Sequence, residues 1–250
     1  ISIIPMRAEA NDRAEMVNQI LFGEHYKLIE KRAKWLKVRL AHDDYEGWIC
    51  RKQYSEIDKA QYLSLSKETQ HYNYNLIDAL TTDKGDMIPI GLGSTLPFYD
   101  GEHCLINGMR FHFEGAHKPC EKNSKADIVN TAYMYLHAPY LWGGRTPMGV
   151  DCSGFTQMAY RLNGRLISRD ASQQVKLGTT LSFIEEAEPG DLAFFDDAEG
   201  NIIHVGIILE NNHILHASGK VRIDRIDQQG IFNKEQGKHT HKLRIIKQIY

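Results

Sequence analysis

The chain has 250 residues, with 30 Lys and Arg against 32 Asp and Glu and a formal net charge of -2, so no basic excess marks it as a nucleic-acid binder. Its 42% hydrophobic and 25% charged residues are those of a packed globular chain, long enough for one large domain or two to three small ones. The longest apolar runs, such as Val205-Gly206-Ile207-Ile208-Leu209, fall well short of the ~20 residues that cross a bilayer, and four cysteines are too few for a disulfide scaffold.

Residues 1–9 have neither a basic start nor a sustained apolar run, and no initiator Met, so a removed leader is the simplest account and export is neither indicated nor excluded. Residues 26–30, 35–40 and 47–50 are short runs of β-type alternation separated by turn residues, the texture of a small barrel. Residues 31–37 form a short basic run that reads as an exposed strand edge. The pattern recurs more loosely over 86–115, punctuated by Gly91, Gly93, Gly101 and Gly108, and predicts a second small barrel in which His112 faces outward. Residues 117–125 are polar, include Pro119, lack periodicity and read as a linker.

Beyond it, Ala126, Val129, Ala132, Tyr133 and Leu136 fall on one helical stripe that Pro139 ends, and Phe155, Met158, Ala159 and Leu162 make a second, closed by Asn163-Gly164. Strand-like runs follow over 191–196, 204–209, 213–218 and 243–250. Helices followed by antiparallel strands predict an α+β domain.

A glycine-rich loop, 143–149, delivers Cys152 to the first turn of the second helix. Unpaired N–H groups and the positive helix end would favour a thiolate there and could hold an oxyanion. His204 and His216 stand on consecutive strands, and a cysteine on a helix N-terminus facing such a pair is a papain-like arrangement. If Asn211-Asn212 were a simple two-residue turn, the imidazoles would face opposite sides of the hairpin, so the loop must be re-centred near Glu210 or the strand bulged. A metal pair at His239 and His241 has too few ligands, and both read as solvated loop residues.

The four segments Asp151-Cys152-Ser153-Gly154, Pro189-Gly190-Asp191-Leu192, His204-Val205-Gly206-Ile207 and His216-Ala217-Ser218 together resemble the NlpC/P60 family of cell-wall cysteine peptidases. Residues 24–49, with Trp35-Leu36-Lys37-Val38 and Asp44-Tyr45-Glu46-Gly47-Trp48-Ile49, resemble a bacterial SH3-like domain. The combination resembles the γ-D-glutamyl-L-diamino acid endopeptidase subgroup. It implies SH3-like barrels over 1–58 and 59–118 and a papain-like α+β catalytic domain over 119–250.

By that resemblance Cys152 is the nucleophile, His204 the general base and His216 the polar residue that orients it. Tyr140, Asp151 and Ser153 lie by the oxyanion or substrate. Asp170 matches the acid that holds the free amine of an N-terminal L-Ala, although the hydroxylated residue due directly after it is Ala171, with Ser172 one place later. Asp170 could equally cap a helix through 172–175. Tyr45 matches the aromatic residue that closes the cleft, or is an ordinary barrel-surface side chain.

The implied partners are murein stem peptides, with no nucleic acid, no membrane segment and no metal or organic cofactor. The implied location is the bacterial cell envelope, periplasmic or secreted, with the cytoplasm as the alternative. A broader wall hydrolase, an amidase or acyltransferase on the same scaffold, and a non-catalytic wall-binding protein remain open from residues alone. With Cys152 reserved for chemistry, Cys50, Cys104 and Cys120 allow at most one bridge.

Overall fold

A computed structural model describes residues 1–249, and the chain divides into a first unit, Ile1–Glu121, and a second that begins at Lys122. The first unit opens with β1 (Ile3–Arg7), β2 (Met16–Leu21), β3 (Tyr26–Lys31), β4 (Trp35–Leu40) and β5 (Glu46–Cys50), which form one antiparallel sheet in the order β2-β1-β5-β4-β3. Alternation decides which face is buried: Leu36, Val38 and Leu40 of β4 point inward against Ile4, Met6, Ile20 and Ile49, while the residues between them stay half-buried or exposed. The two strands before residue 26 were not legible as strands.

Asp58 caps α1 (Lys59–Leu65) by accepting the Gln61 N–H at 2.7 Å. Next come β6 (His71–Asn73), β7 (Ile77–Thr82), β8 (Met87–Gly91), β9 (Thr95–Leu96), β10 (His103–Ile106), β11 (Met109–His112) and β12 (His117–Pro119). They make a four-stranded sheet, β10-β11-β7-β8, and a three-stranded one, β12-β6-β9, around Leu80, Ile90, Leu96, Cys104, Phe111 and Phe113. Strand β12 corrects the expected linker. Its backbone pairs with β6, and the Cys120 N–H donates to the Gln70 carbonyl at 2.7 Å, so residues 117–120 belong to the first unit.

The second unit starts with a capping box, Ser124 with Asp127, that opens α2 (Lys125–Tyr133). A two-stranded ribbon, β13 (Arg145–Thr146) and β14 (Gly149–Val150), leads into α3 (Cys152–Arg161) and then α4 (Ala171–Gln174). The rest is β15 (Thr179–Leu181), β16 (Leu192–Asp196), β17 (Ile202–Leu209), β18 (His213–Ser218), β19 (Lys220–Asp227), β20 (Gly230–Asn233) and β21 (Lys238–Gln248). The sheet order is β15-β21-β16-β17-β18-β19-β20, and β20 also pairs with β21, so β16 to β21 close on themselves. Ala193, Phe195, Ile208, Ile214, Ile226, Ile231 and Ile246 cluster together from these strands. All of α3 is buried, and it packs against β17 and β18, which sets Cys152 at the sheet. All four cysteines are free thiols.

Candidate functional site: a cysteine at a helix N-terminus beside a histidine relay

Cys152 is the first residue of α3, and the turn that presents it is held by its neighbour. Asp151 is the N-cap: its Oδ1 accepts the Gly154 N–H at 2.7 Å, and its Oδ2 accepts the Gly143 N–H at 2.8 Å. The same carboxylate takes a bidentate pair from Arg169, at 2.9 and 2.6 Å, and Arg169 is only 1% exposed. Arg169 also donates to Ser153 Oγ at 2.9 Å. Gly154 is required here because a Cβ at that position would lie 2.3 Å from the Gly144 carbonyl oxygen. Asp151 therefore holds the turn that presents Cys152: its two oxygens take donors from the loop, the helix and Arg169.

The cysteine itself is buried. Burial pushes its thiol up to about 12, and the Asp151 charge pushes the same way, while the Val205 and Ser153 N–H groups and Arg169 oppose them. Desolvation thus opposes the thiolate that the helix N–H groups favour, and it is the larger influence. The Val205 N–H can reach the sulfur because β17–β18 pairing ends at Gly206–His216, one residue further along.

The β17–β18 loop is Glu210 to Asn212, centred on Asn211, with Asn211 and Asn212 both left-handed at φ 56° and 55°. That register sets Gly206 opposite His216 and leaves His204 on the same face, two residues along. His204 Nε2 and His216 Nδ1 are 2.8 Å apart, and His216 Nε2 lies 3.1 Å from Asp224 Oδ2. Asp224 is in turn held by Arg222, whose Nε lies 2.7 Å from Oδ2.

The chemistry of the chain of contacts assigns the protons. A carboxylate only accepts, so His216 Nε2 carries hydrogen, its Nδ1 accepts from His204 Nε2–H, and His204 Nδ1 is left as a bare lone pair. Burial holds His204 well below the usual imidazole range, with the His216 and His241 charges adding to it, so this lone pair persists at neutral pH. Burial likewise lowers His216, against the opposing pull of Asp224. For Asp224, burial pushes up but the bonds from His216 and Arg222 prevail, and its carboxyl sits below the ordinary range.

His241, expected in a solvated loop with His239, is corrected on both counts. It lies on β21 and stacks on His204 at 4.3 Å between centroids and 29° between planes. His239 pairs with Asp227 at 2.9 Å. Sequence reasoning also missed Arg169, Arg222 and Asp224. The alternation Val221-Arg222-Ile223-Asp224 marks a strand, but nothing local reveals which polar residue faces His216.

Tyr140 is half-buried, bridged to Val150, and its phenol is raised by burial and then by the charges of Cys152 and Asp151, so it stays a hydrogen donor. Asp170 is the N-cap of α4. Its backbone carbonyl accepts from the Gln173 and Gln174 N–H groups at 2.9 Å, and its side chain makes no capping bond. Ser172 is exposed on that helix. Tyr45, in the first unit, packs half-buried against the barrel core of Ile4, Val38 and their neighbours. A cavity of about 720 Å³ also lies in the first unit, walled by residues such as Ile20, Phe22, Tyr26, Tyr54 and Tyr62, without a cysteine in its wall.

Residues 137–240 match the NlpC/P60 family, and residues 6–53 match the bacterial dipeptidyl-peptidase Sh3 domain. Dipeptidyl-peptidase 6 of Lysinibacillus sphaericus is 29% identical over 255 residues, covering 89% of this chain and 88% of the relative. Gamma-D-glutamyl-L-lysine dipeptidyl-peptidase of Bacillus subtilis is 30% identical over 218 residues, covering 80% and 71%. A solved NlpC/P60 family protein from Bacillus cereus shares the fold, with a TM-score of 0.78 over 94% of this chain and 82% of that one at 21% identity.

Proposed function

The chain belongs to the NlpC/P60 family, and from that premise we propose that it is a cysteine endopeptidase hydrolysing the γ-D-glutamyl–L-diamino acid bond of murein stem peptides. The diamino acid is diaminopimelate or lysine. The observation that carries the reading is the relay His204–His216–Asp224, which starts next to Val205, whose N–H bonds the Cys152 sulfur.

In this mechanism Cys152 Sγ attacks the γ-carbonyl as its proton passes to His204 Nδ1. The oxyanion takes hydrogen bonds from N–H groups at the start of α3 and from the Tyr140 hydroxyl. His204 then gives its proton to the leaving α-amine of the diamino acid, and a thioester remains. Water, losing a proton to His204, hydrolyses the thioester and restores the thiol. His216 keeps the His204 ring oriented, and Ser153 supports the nucleophile turn through Arg169.

A free N-terminal L-Ala is the second half of the proposal: its ammonium is held by the Asp170 carboxylate, with Ser172 nearby on α4. Such a site selects released stem peptides over intact wall. Residues 1–58 and 59–118 are read as two SH3-like domains and 119–250 as the α+β catalytic domain, working in the cell envelope.

The test is digestion of L-Ala-γ-D-Glu-L-Lys and its diaminopimelate analogue, each with a free and an acetylated N-terminus, followed by mass spectrometry. The protein is expected to release L-Ala-γ-D-Glu from the free peptides, and Cys152→Ala to lose roughly 10³-fold or more in turnover while folding normally. Equal cleavage of acetylated peptide would remove the amine pocket, and retained activity in Cys152→Ala would overturn the mechanism.

A further inference from the structure

The hairpin β10–β11 turns through Asn107-Gly108, both left-handed at φ 52° and 76°, which closes a two-residue loop between Ile106 and Met109. That tight turn fixes the register so that His103 and His112 are direct cross-strand partners, with ring centroids 5.2 Å apart. Glu102 reaches over both: its carboxylate lies 3.8 Å from His103 Nδ1 and 3.5 Å from His112 Nε2. Glu114 comes within 3.5 Å of the same His112 nitrogen. One ligand atom from each of Glu102, His103 and His112 falls within 4.8 Å of the others.

These contacts sit at the far edge of hydrogen-bond range or beyond it, which is a poor arrangement for two imidazoles and a carboxylate left to themselves. Carboxylates crowd the pair of rings, since Asp100 Oδ1 also lies 3.9 Å from His103 Nδ1. The spacing instead approaches the ~3.4 Å edge of a tetrahedron whose centre lies ~2.0–2.1 Å from each nitrogen or oxygen ligand.

The backbone beneath is also fixed in advance. The Asp100 carboxylate accepts the N–H groups of Glu102 and His103 at 3.0 and 2.7 Å, and the Glu102 carbonyl accepts the Phe113 N–H at 2.8 Å. Both histidine side chains are partly buried, at 20% and 34% exposure, which limits their rotamers.

We propose that His103, His112 and Glu102, with Glu114 as fourth ligand, form a binding site for a borderline transition-metal dication such as Zn²⁺. Two imidazoles and two carboxylates are a donor set for zinc rather than for Mg²⁺ or Ca²⁺, which take oxygen ligands. Binding joins the two strands of the hairpin across their open end and stabilises the folded first unit by mass action. The site stands apart from the peptidase chemistry and does not depend on it.

The test uses the full chain, stripped with chelator and titrated with ZnSO₄. Carbethoxylation of histidines is mapped by mass spectrometry at each step, and binding is measured by calorimetry. Zinc is expected to protect His103 and His112 together as one equivalent binds. His112→Ala and, as a milder change, Glu102→Gln are each expected to weaken that equivalent by at least tenfold and to cancel the zinc-dependent rise in melting temperature, with peptide hydrolysis unchanged. Protection confined to His204 and His241, no protection at all, or undiminished zinc affinity in both variants would overturn the site.

Discussion

Asp224 contributes to the site through protons rather than through contact with the sulfur. Its carboxylate accepts from His216 and thereby dictates which nitrogen of His204 is bare. An amide at this position could donate to His216 Nε2 instead, which would reverse both tautomers and cap His204 Nδ1 with hydrogen. Asp224→Asn is accordingly expected to lower kcat by roughly 10²- to 10⁴-fold with little change in KM, and steady-state kinetics on the free tripeptide checks it. The raised thiol makes a second prediction at this scale. With the Cys152 thiol pushed up to about 12 by burial, the thiolate fraction grows about tenfold per pH unit through neutrality. Alkylation by iodoacetamide should therefore rise with that slope between about pH 6 and 9, whereas a plateau in that range would reveal a resting thiolate–imidazolium pair.

The β17–β18 hairpin is the element that converts two histidines separated in sequence into one relay. Its loop of Glu210 to Asn212 brings His204 and His216 to one face, and Gly206 leaves room for the ring between them. A Cβ on Gly206 would lie 2.8 Å from His216 Cβ and 2.8 Å from Ile214 Cδ1, inside the distances real side chains tolerate. Gly206→Ala should displace His216, lower activity by one to two orders of magnitude and cost ~1–3 kcal/mol of stability from overpacking. Chemical denaturation together with kinetics would separate the two effects, and unchanged values for both would show that the strand relaxes without moving the relay. Helix α3 is the complementary element: the Asp151–Arg169 pair and Gly154 hold its first turn, so Cys152 meets β17 at the point where the ladder opens.

Across the second unit, the clustered imidazoles tie stability to pH. His204, His216 and His241 all sit below the ordinary value, first because burial penalises their charged form. For His241 the shift runs from 6.5 to about 4. The unfolded chain binds protons to these rings at higher pH than the folded one does. Their contribution is therefore fully present above about pH 6.5 and is lost as pH falls toward the folded values. Asp224 acts in the same direction at lower pH, since its carboxyl is held below its usual range when folded. Thermal unfolding followed by circular dichroism should show a midpoint that falls steadily from pH 6.5 to 4, and His241→Phe should flatten that slope. An unchanged slope in the variant would remove His241 from the account.

Much of this was written locally in the chain. The family-like motifs around Cys152, His204 and His216, the alternation of β4 and the stripes of α2 and α3 depend on neighbours a few residues apart, which sequence exposes directly. The need for a re-centred β17–β18 loop was also legible, because strand parity is simple arithmetic. The desolvation of Cys152 was not, because a helix terminus is a local feature whereas the burial that opposes it comes from the whole unit. Nor were the partners of the site: Arg169 reaches Asp151 from beyond α3, Asp224 reaches His216 from the next strand, and His241 reaches His204 from a strand that closes the sheet. By itself the sequence marked which residues are candidates for the chemistry. Tertiary structure decided their protons, since desolvation and hydrogen bonding between distant strands exist only once the sheet has closed around them.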